Sequence, residues 1–170
     1  MTDLSRRTML GLTGAATVTF PATQLLPSGG VRRTADRAMD RFDQGWRTGQ
    51  WEPFLAMLAP RFSFWFPEGQ WRGRHEGESG RRAVEEWARF HASNGNRVIG
   101  ERRSTTRMGD RVLYEYDSRG GSPSTEGYLN WEVIIVRVSG DRISALHEYW
   151  GNVEDAHVAR SRGIATCRIT

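Results

Sequence analysis

The chain has 170 residues, of which 38% are hydrophobic and 26% charged, values typical of one soluble domain with a short extension. The formal charge is only +4, and the basic residues, all of them arginine, are scattered among acids, which argues against a nucleic-acid partner. The single cysteine, Cys167, excludes an intramolecular disulfide and a cysteine-based metal site.

A short N-terminal segment, residues 1–30, precedes the predicted domain. Its paired arginines, Arg6 and Arg7, lead a modestly apolar run that has the length of an export signal and is too short to span a bilayer. The pattern resembles a twin-arginine signal, which implies passage of the folded protein into the periplasm or the extracellular space. The alternatives are a disordered N-terminus and a misplaced start codon.

Three helices are predicted. The first, over residues 31–48, has Thr34 as its N-cap, and its apolar residues recur at helical spacing: Ala35, Met39, Phe42 and Trp46. A short second helix within residues 50–58 has a proline in its first turn. The third helix begins at Ser79 or Gly80 and presents one apolar face, formed by Val84, Trp87 and Phe90.

Five strands complete the predicted domain. An aromatic strand at residues 61–66 is joined to the third helix by a glycine-rich connection. Four more strands follow, at residues 97–107, 111–117, 125–138 and 142–150, before a polar tail at residues 156–170. This order predicts an α+β domain over residues 31–155, in which a strongly curved antiparallel sheet wraps around the N-terminal helices and leaves a conical cavity.

Four motifs occur in a characteristic order: the helix "RAMDRFDQGWRTGQW", the step "FWFPEG", the connection "WRGRHEG" and the ending "GYLNWEVIIVRVSGDRISALHEYWG". With them, residues 34–153 resemble the nuclear transport factor 2-like superfamily, and within it the SnoaL-like polyketide cyclase and ketosteroid isomerase branch. The resemblance implies a cone-shaped α+β barrel. Because the superfamily holds isomerases, dehydratases, epoxide hydrolases, cyclases and non-catalytic binders, the fold alone does not give the function.

The resemblance also assigns positions within the cone. It places the acid–base residues of ketosteroid isomerases at Phe42, at Phe66 and near Ile134, where this chain has only apolar side chains. Phenylalanine cannot exchange a proton, so steroid isomerisation by that mechanism is excluded. Phe64 and Phe66 are instead expected to point into the cavity, with Phe42 and Trp46 above them.

The last two strands carry two glutamates among apolar neighbours. Strand alternation places one set of side chains on the same face of the first strand: Tyr128, Asn130, Glu132, Ile134 and Val136. On the second strand it groups Leu146, Glu148 and Trp150. A three-residue loop at 139–141 would pair Glu132 with Glu148 and Asn130 with Trp150, whereas a two-residue loop would separate the carboxylates. The resemblance favours the three-residue loop, because related proteins have an aromatic residue at the position of Trp150 inside the pocket.

Two adjacent carboxylates in an aromatic cavity predict acid–base chemistry. Their Cβ atoms would lie about 5 Å apart, so one carboxyl group is expected to stay protonated while the other acts as a base. This arrangement suits proton abstraction beside a carbonyl, as in an isomerisation or an aldol cyclisation. Asn130 would orient a substrate oxygen and Tyr128 would donate to it. In the alternative, one glutamate pairs with Arg103 or Arg107 and only supports the sheet.

The remaining polar residues give weaker predictions. His147 belongs to the other face of its strand, towards solvent or a partner subunit, His75 is a candidate for the cavity mouth, and Asp43 is expected to face solvent. The histidine spacings predict no bound metal, and the absence of a phosphate-binding glycine motif argues against a nucleotide cofactor, so no cofactor is expected. The outer face of the sheet carries the apolar residues Trp131, Val133 and Ile135. An exposed apolar face usually needs a cover, so a homodimer through this face is predicted.

These observations predict an exported protein that acts on, or binds, a small apolar carbonyl compound. An isomerase or cyclase-type enzyme without a cofactor is one possibility. A non-catalytic ligand-binding module and a dimerisation module of the same fold are the others.

Overall fold

The computed structural model describes residues 28–122 and 125–155. Its helices are α1 (Ser28–Thr48), α2 (Glu52–Leu55), a 3-10 helix (Gly69–Trp71) and α3 (Gly77–Ser93). Its strands are β1 (Leu58–Phe66), β2 (Gly73–His75), β3 (Val98–Met108), β4 (Arg111–Gly120), β5 (Tyr128–Ser139) and β6 (Arg142–Asp155). The proposed twin-arginine motif and the tail at residues 156–170 lie outside the described residues.

The six strands form one open sheet in the order β2-β1-β6-β5-β4-β3. All neighbouring strands are antiparallel except β1 and β6, which run parallel. The chain leaves β1, forms α3 and three further strands, and returns beside β1 in the same direction. The predicted α+β fold with N-terminal helices is therefore confirmed, with a mixed sheet in place of a wholly antiparallel one.

The helices bury one face of this sheet, which we call the inner face. On α1 the predicted apolar stripe is confirmed, because Ala35, Met39 and Phe42 are buried and Trp46 packs against the core. The predicted N-cap is wrong: α1 begins at Ser28, so Thr34 lies within the helix.

Helix α3 lies close against β1, and one glycine makes this approach possible. A Cβ atom at Gly80 would lie 2.0 Å from the backbone oxygen of Phe62, so only glycine fits. The helix begins at Gly77, before the predicted start at Ser79 or Gly80. Its predicted inner face is correct for the buried residues Val84 and Trp87 but wrong for Phe90, which is 41% exposed.

The predicted glycine-rich connection contains ordered structure. The 3-10 helix leads into β2, which pairs with the end of β1 so that Phe64 lies opposite His75 and Phe66 opposite Gly73. No strand pattern can be recognised here in the sequence, because β2 is only three residues long.

The β5–β6 hairpin corrects the predicted register. A two-residue turn at Gly140 and Asp141 joins the strands, with Gly140 at a φ of 63°, instead of the predicted three-residue loop. A bulge then adds Ser144 to β6, so that Glu132 lies opposite Trp150 and Glu148 opposite Ile134.

The bulge decides which face the acids occupy. A two-residue turn alone would put Glu132 and Glu148 on opposite faces, and one extra residue returns them to the same face. The two glutamates are therefore diagonal neighbours on the inner face and not a directly opposed pair. A second irregularity, between Trp131 and Glu132, places Asn130 opposite Val153 and not opposite Trp150 as predicted.

Candidate functional site

A row of polar side chains crosses the inner face of the sheet. In the strand pairing, Tyr116 of β4 lies opposite Glu132 of β5, and Ser118 lies opposite Asn130. Because the bulge keeps Glu148 on the same face, β4, β5 and β6 all contribute polar groups to one otherwise apolar surface.

Glu132 is held by neutral hydrogen-bond donors. The Ser118 hydroxyl donates to Oε1 at 2.5 Å, and the Asn130 amide donates to Oε2 at 3.2 Å. Burial raises the pKa of Glu132 to about 7, since it outweighs the opposing effect of these two hydrogen bonds. Near neutral pH this carboxyl group can therefore exist with or without its proton.

Glu148 is more deeply buried, with 2% of its surface exposed. The Trp150 indole donates to Oε2 at 3.2 Å, while Oε1 has no hydrogen-bond partner among the described residues. Burial, and then the negative charge of Glu132, raise the pKa of Glu148 well above its usual value. Burial thus favours the protonated form of both carboxyl groups, and the charge of Glu132 strengthens this for Glu148.

Asn130 links the pair to a tyrosine. Its amide nitrogen donates to the Tyr128 hydroxyl at 3.0 Å as well as to Glu132, while its Oδ1 has no hydrogen-bond partner in the described part of the chain. Burial, followed by the charges of the two glutamates, raises the pKa of Tyr128, which keeps this hydroxyl protonated. The Glu148 Oε1 and Asn130 Oδ1 atoms are buried polar groups for which a ligand could supply partners.

Aromatic rings surround these polar groups. Phe66 contacts the edge of Trp150 with ring centroids 5.1 Å apart, and Tyr128 contacts Trp150 at 6.3 Å. Trp87 of α3 is the common neighbour of the other predicted lining residues, with ring centroids between 5.2 and 6.0 Å from those of Phe42, Trp46, Phe64 and Phe66. The sequence marked Trp87 only as a core residue, because nothing in its local pattern shows what lies across the sheet.

The predicted binding residues divide into two groups by burial. Phe42, Phe64 and Leu146 are almost fully buried in the core, at 3%, 0% and 0% exposure. Trp46 and Trp150 are only partly buried and pack against that core. Ligand contact remains a prediction for all of them.

The ion pairs of the described residues do not include either glutamate. Arg103 forms ion pairs with Glu101 at 2.9 Å and Asp117 at 2.6 Å, and Arg107 donates to a backbone oxygen of the next turn. No ion pair between the glutamate pair and any arginine occurs within the described residues. None of the ion pairs among the described residues supports the alternative in which a glutamate–arginine pair only supports the sheet.

Three other polar residues were singled out in the sequence, and one of them is placed differently from the prediction. The expectation that Asp43 faces solvent is wrong: its side chain is 16% exposed and accepts hydrogen bonds from Arg102 and Tyr116, because α1 turns this residue towards β3 and β4. His147 lies on the outer face as predicted and contacts the Ser63 hydroxyl at 2.7 Å. His75 contacts the backbone oxygen of Trp71 at 3.0 Å.

Neither a metal-ligand cluster nor a membrane-spanning helix is found in the described ranges. No group of three or more His, Cys, Asp or Glu side chains there could hold a metal ion. No helix in residues 28–122 and 125–155 is both long enough and apolar enough to cross a membrane.

Comparison with known proteins places this fold and site in a family. The sequence model of the SnoaL-like domain matches residues 39–146, which is more than half of the chain. The chain belongs to the SnoaL-like domain family. No curated protein sequence matches it.

Solved structures agree with this family. An NTF2-like protein from Anabaena variabilis ATCC 29413 is 28% identical with a TM-score of 0.66, and the match covers 75% of this chain and 94% of that one. A proposed polyketide cyclase from Sinorhizobium meliloti is 19% identical at a TM-score of 0.52, covering 68% and 98%. A proposed ketosteroid isomerase from Kribbella flavida DSM 17836 is 17% identical at 0.52, covering 73% and 79%. The last two similarities concern the SnoaL-like fold alone.

Proposed function

We propose that this SnoaL-like protein is an exported enzyme of the isomerase or cyclase type, which performs acid–base chemistry on a small apolar carbonyl compound without a cofactor. One observation carries the proposal. Glu132 and Glu148 lie on one face of the sheet, and among the described residues neither has an arginine partner and one oxygen of Glu148 has no hydrogen-bond partner. Buried acids without a counter-charge reduce stability at neutral pH, so a chemical role accounts for them better than a structural one.

The chemistry follows from the proton affinities of the two acids. The Glu132 carboxylate takes a proton from the carbon beside the substrate carbonyl, and the Glu148 carboxyl group gives its proton to the carbonyl oxygen, which produces an enol. The enol carbon then attacks a second carbonyl, whose oxygen takes the proton from Glu132, and a ring closes. Alternatively, another carbon of the conjugated enol takes that proton, which completes an isomerisation. In either case the enol O–H proton returns to Glu148, and both acids regain their starting states. Asn130 and Tyr128 orient the oxygen of the substrate. Each step moves only protons and electron pairs, so these side chains suffice.

A second candidate function is non-catalytic binding of a small apolar molecule. The aromatic rings around Trp150 and Trp87 supply a binding surface whether or not a reaction follows. In this case the glutamates would only exclude anionic ligands.

Dimerisation is the third element of the proposal. The outer face carries two large exposed aromatic side chains, Trp131 at 51% and Tyr149 at 41%. Trp65 stacks on Tyr149 with ring centroids 6.2 Å apart, and Val133 and Ile135 continue the same face. Exposed aromatic side chains on a sheet face favour a cover, for which we propose a second copy of the chain.

Export rests on Arg6 and Arg7 and the apolar run after them. Replacing both arginines by lysine is expected to retain the protein in the cytoplasm, as cell fractionation and immunoblotting would show. Unchanged export of the variant would refute the twin-arginine route.

The test of the enzymatic proposal begins with the natural ligand. Native mass spectrometry of protein purified from its own host should reveal a bound small carbonyl compound. That compound is then incubated with the protein in deuterium oxide, and incorporation of deuterium beside the carbonyl is followed by mass spectrometry. Glu132→Gln is expected to slow this incorporation by about 10²–10⁴-fold, because the base is lost.

A matched control is Glu115→Gln on β4, where the Ser104 hydroxyl donates to an exposed glutamate. This variant should exchange at the wild-type rate. A bound compound that exchanges equally slowly with wild type and with Glu132→Gln would contradict catalysis and favour the binding module.

A further inference from the structure

A second cluster of ionisable side chains lies where α1 crosses β3 and β4. The carboxylate Oδ2 of Asp43 accepts a hydrogen bond from the Arg102 guanidinium at 3.2 Å and from the Tyr116 hydroxyl at 3.2 Å. Arg102 also donates through Nε to the same hydroxyl at 3.0 Å. The three side chains form a closed triangle that fixes Asp43 on the inner side of the sheet.

This triangle is in contact with the glutamate site through the strand pairing. Arg102, Tyr116, Glu132 and Trp150 form one row across four strands. Tyr116 is 3% exposed and lies directly between Arg102 and Glu132 in that row. The carboxylate it binds therefore lies over the row, and its negative charge acts on Glu132.

The electrostatic surroundings of Asp43 come from three elements besides Glu132 on β5. Burial raises the pKa of Asp43 to about 6, against the opposing charge of Arg102 on β3 and the hydrogen bond from Tyr116 on β4. On α1 itself, Arg47 opposes this rise and Asp40 adds to it. Asp43 and Glu132 therefore change charge in the same range around neutral pH, where each can respond to the other.

We propose that Asp43 is a positioning residue of the glutamate site: held by Tyr116 and Arg102, it adjusts through its charge how readily Glu132 takes up a proton. A negative Asp43 favours the protonated form of Glu132, and a neutral Asp43 releases that influence. As pH falls, proton uptake by Asp43 therefore delays uptake by Glu132. The charge of Asp43 thereby raises the pH at which Glu132 loses its proton, and proton uptake by the two acids spreads over a wider pH range than for an isolated glutamate.

The catalytic meaning of this inference rests on the proposed function, whereas the electrostatic link can be measured without turnover. The test is a carboxyl NMR titration of Glu132 in the full chain, in wild type and in Asp43→Asn. The midpoint for Glu132 is expected to move to lower pH by about 0.5–1.5 pH units, because one neighbouring negative charge is removed. The transition should also become steeper.

Asp40→Asn is the matched control. Asp40 lies on the same helix and contacts the same Arg102 nitrogen at the same distance of 3.2 Å, but its side chain is 69% exposed. This variant has the same change in net charge, but loss of Asp40 favours the charged form of Asp43, so the Glu132 midpoint should not move to lower pH. An unchanged midpoint in Asp43→Asn, or an equal movement in Asp40→Asn, would overturn the proposal.

Tyr116→Phe provides a second route if Asp43→Asn fails to fold. Loss of the hydroxyl removes a hydrogen bond that lowers the pKa of Asp43, so Asp43 stays neutral to higher pH and the Glu132 midpoint again moves down. An unmoved midpoint in this variant would overturn the proposal independently.

The outcome also separates this inference from the proposed function. Unchanged deuterium incorporation in Glu132→Gln would refute catalysis while leaving the Asp43 effect on the titration intact. An unmoved Glu132 midpoint in Asp43→Asn would refute the role of Asp43 while catalysis by the glutamates stands. Where exchange is observed, its acidic limb should move to lower pH in Asp43→Asn and not in Asp40→Asn.

Discussion

Acidic side chains have different surroundings on the two faces of the sheet. On the outer face, Glu101 and Asp117 lie within 3 Å of Arg103 and remain in contact with water. On the inner face, Glu132 and Glu148 lie among aromatic rings without an arginine ion pair in the described part of the chain. The outer acids have a counter-charge beside them, whereas among the described residues the inner acids have no arginine ion pair.

This difference separates structural from functional charge. An exposed ion pair such as that of Asp117 contributes little to the free energy of unfolding, so its removal changes that free energy little. Buried acids without a counter-charge hold protons that free glutamate would release, and this property is what proton transfer requires.

The largest expected effect is on the formation of the proposed dimer through the outer face. Trp131→Asp places a charge at the centre of the proposed dimer contact and should weaken association by about 100-fold or more, as expected for a central aromatic residue. Analytical ultracentrifugation across a concentration series measures this. Ile99→Asp, which charges an exposed apolar residue on the edge strand β3, is the control and should remain dimeric. A monomeric wild-type protein at micromolar concentration would contradict the dimer.

The inner face provides an effect on stability that depends on pH. Since the pKa of Glu132 rises on folding from 4.5 to about 7, and that of Glu148 rises well above 4.5, the stability these protons contribute is full below about pH 4.5 and is lost as pH rises. The double variant Glu132→Gln/Glu148→Gln does not carry these protons, so its stability does not fall in this way. Between pH 5 and pH 8, the difference in free energy of unfolding between the double variant and wild type should therefore change by about 1–3 kcal/mol in favour of the variant.

Urea denaturation at several pH values measures this difference. Parallel pH dependences for wild type and the double variant would show that the folded protein does not hold the two protons.

The smallest effect is expected at the outer ion pair. Asp117→Asn removes the carboxylate that lies 2.6 Å from Arg103, and because the pair is partly exposed the cost should be at most about 1 kcal/mol, with little dependence on pH in the neutral range. Urea denaturation at pH 7 checks this value. A cost several times larger would mean that outer charges are as important to the fold as the core.

The sequence predicted the faces of the glutamates better than their pairing. Strand alternation alone placed Glu132 and Asn130 together, and Glu148 with Trp150, because the side-chain period of a strand is fixed. It could not show the bulge at Ser144, since an extra residue on one strand leaves no mark in a sequence of ordinary strand-forming residues.

Contacts between elements that are far apart in the sequence could not be predicted either. The burial of Asp43 depends on the rotation of α1 against β3 and β4, which a helical pattern fixes only to within a residue. The exposure of Phe90 likewise depends on where α3 ends its contact with the sheet. Whether an arginine forms an ion pair with the glutamates could not be predicted either, because this depends on all of their neighbours in space.

The most direct test of the proposed acid–base pair is a carboxyl NMR titration of Glu132 and Glu148 in the wild-type protein and in each Glu→Gln variant. We expect Glu132 to titrate near pH 7 and Glu148 well above the usual glutamate range. We also expect Glu132→Gln to lower the midpoint of Glu148, because a neighbouring negative charge is gone. Two independent titrations near the ordinary glutamate value of about 4.3 would contradict it, and the proposed acid–base pair would have to be abandoned.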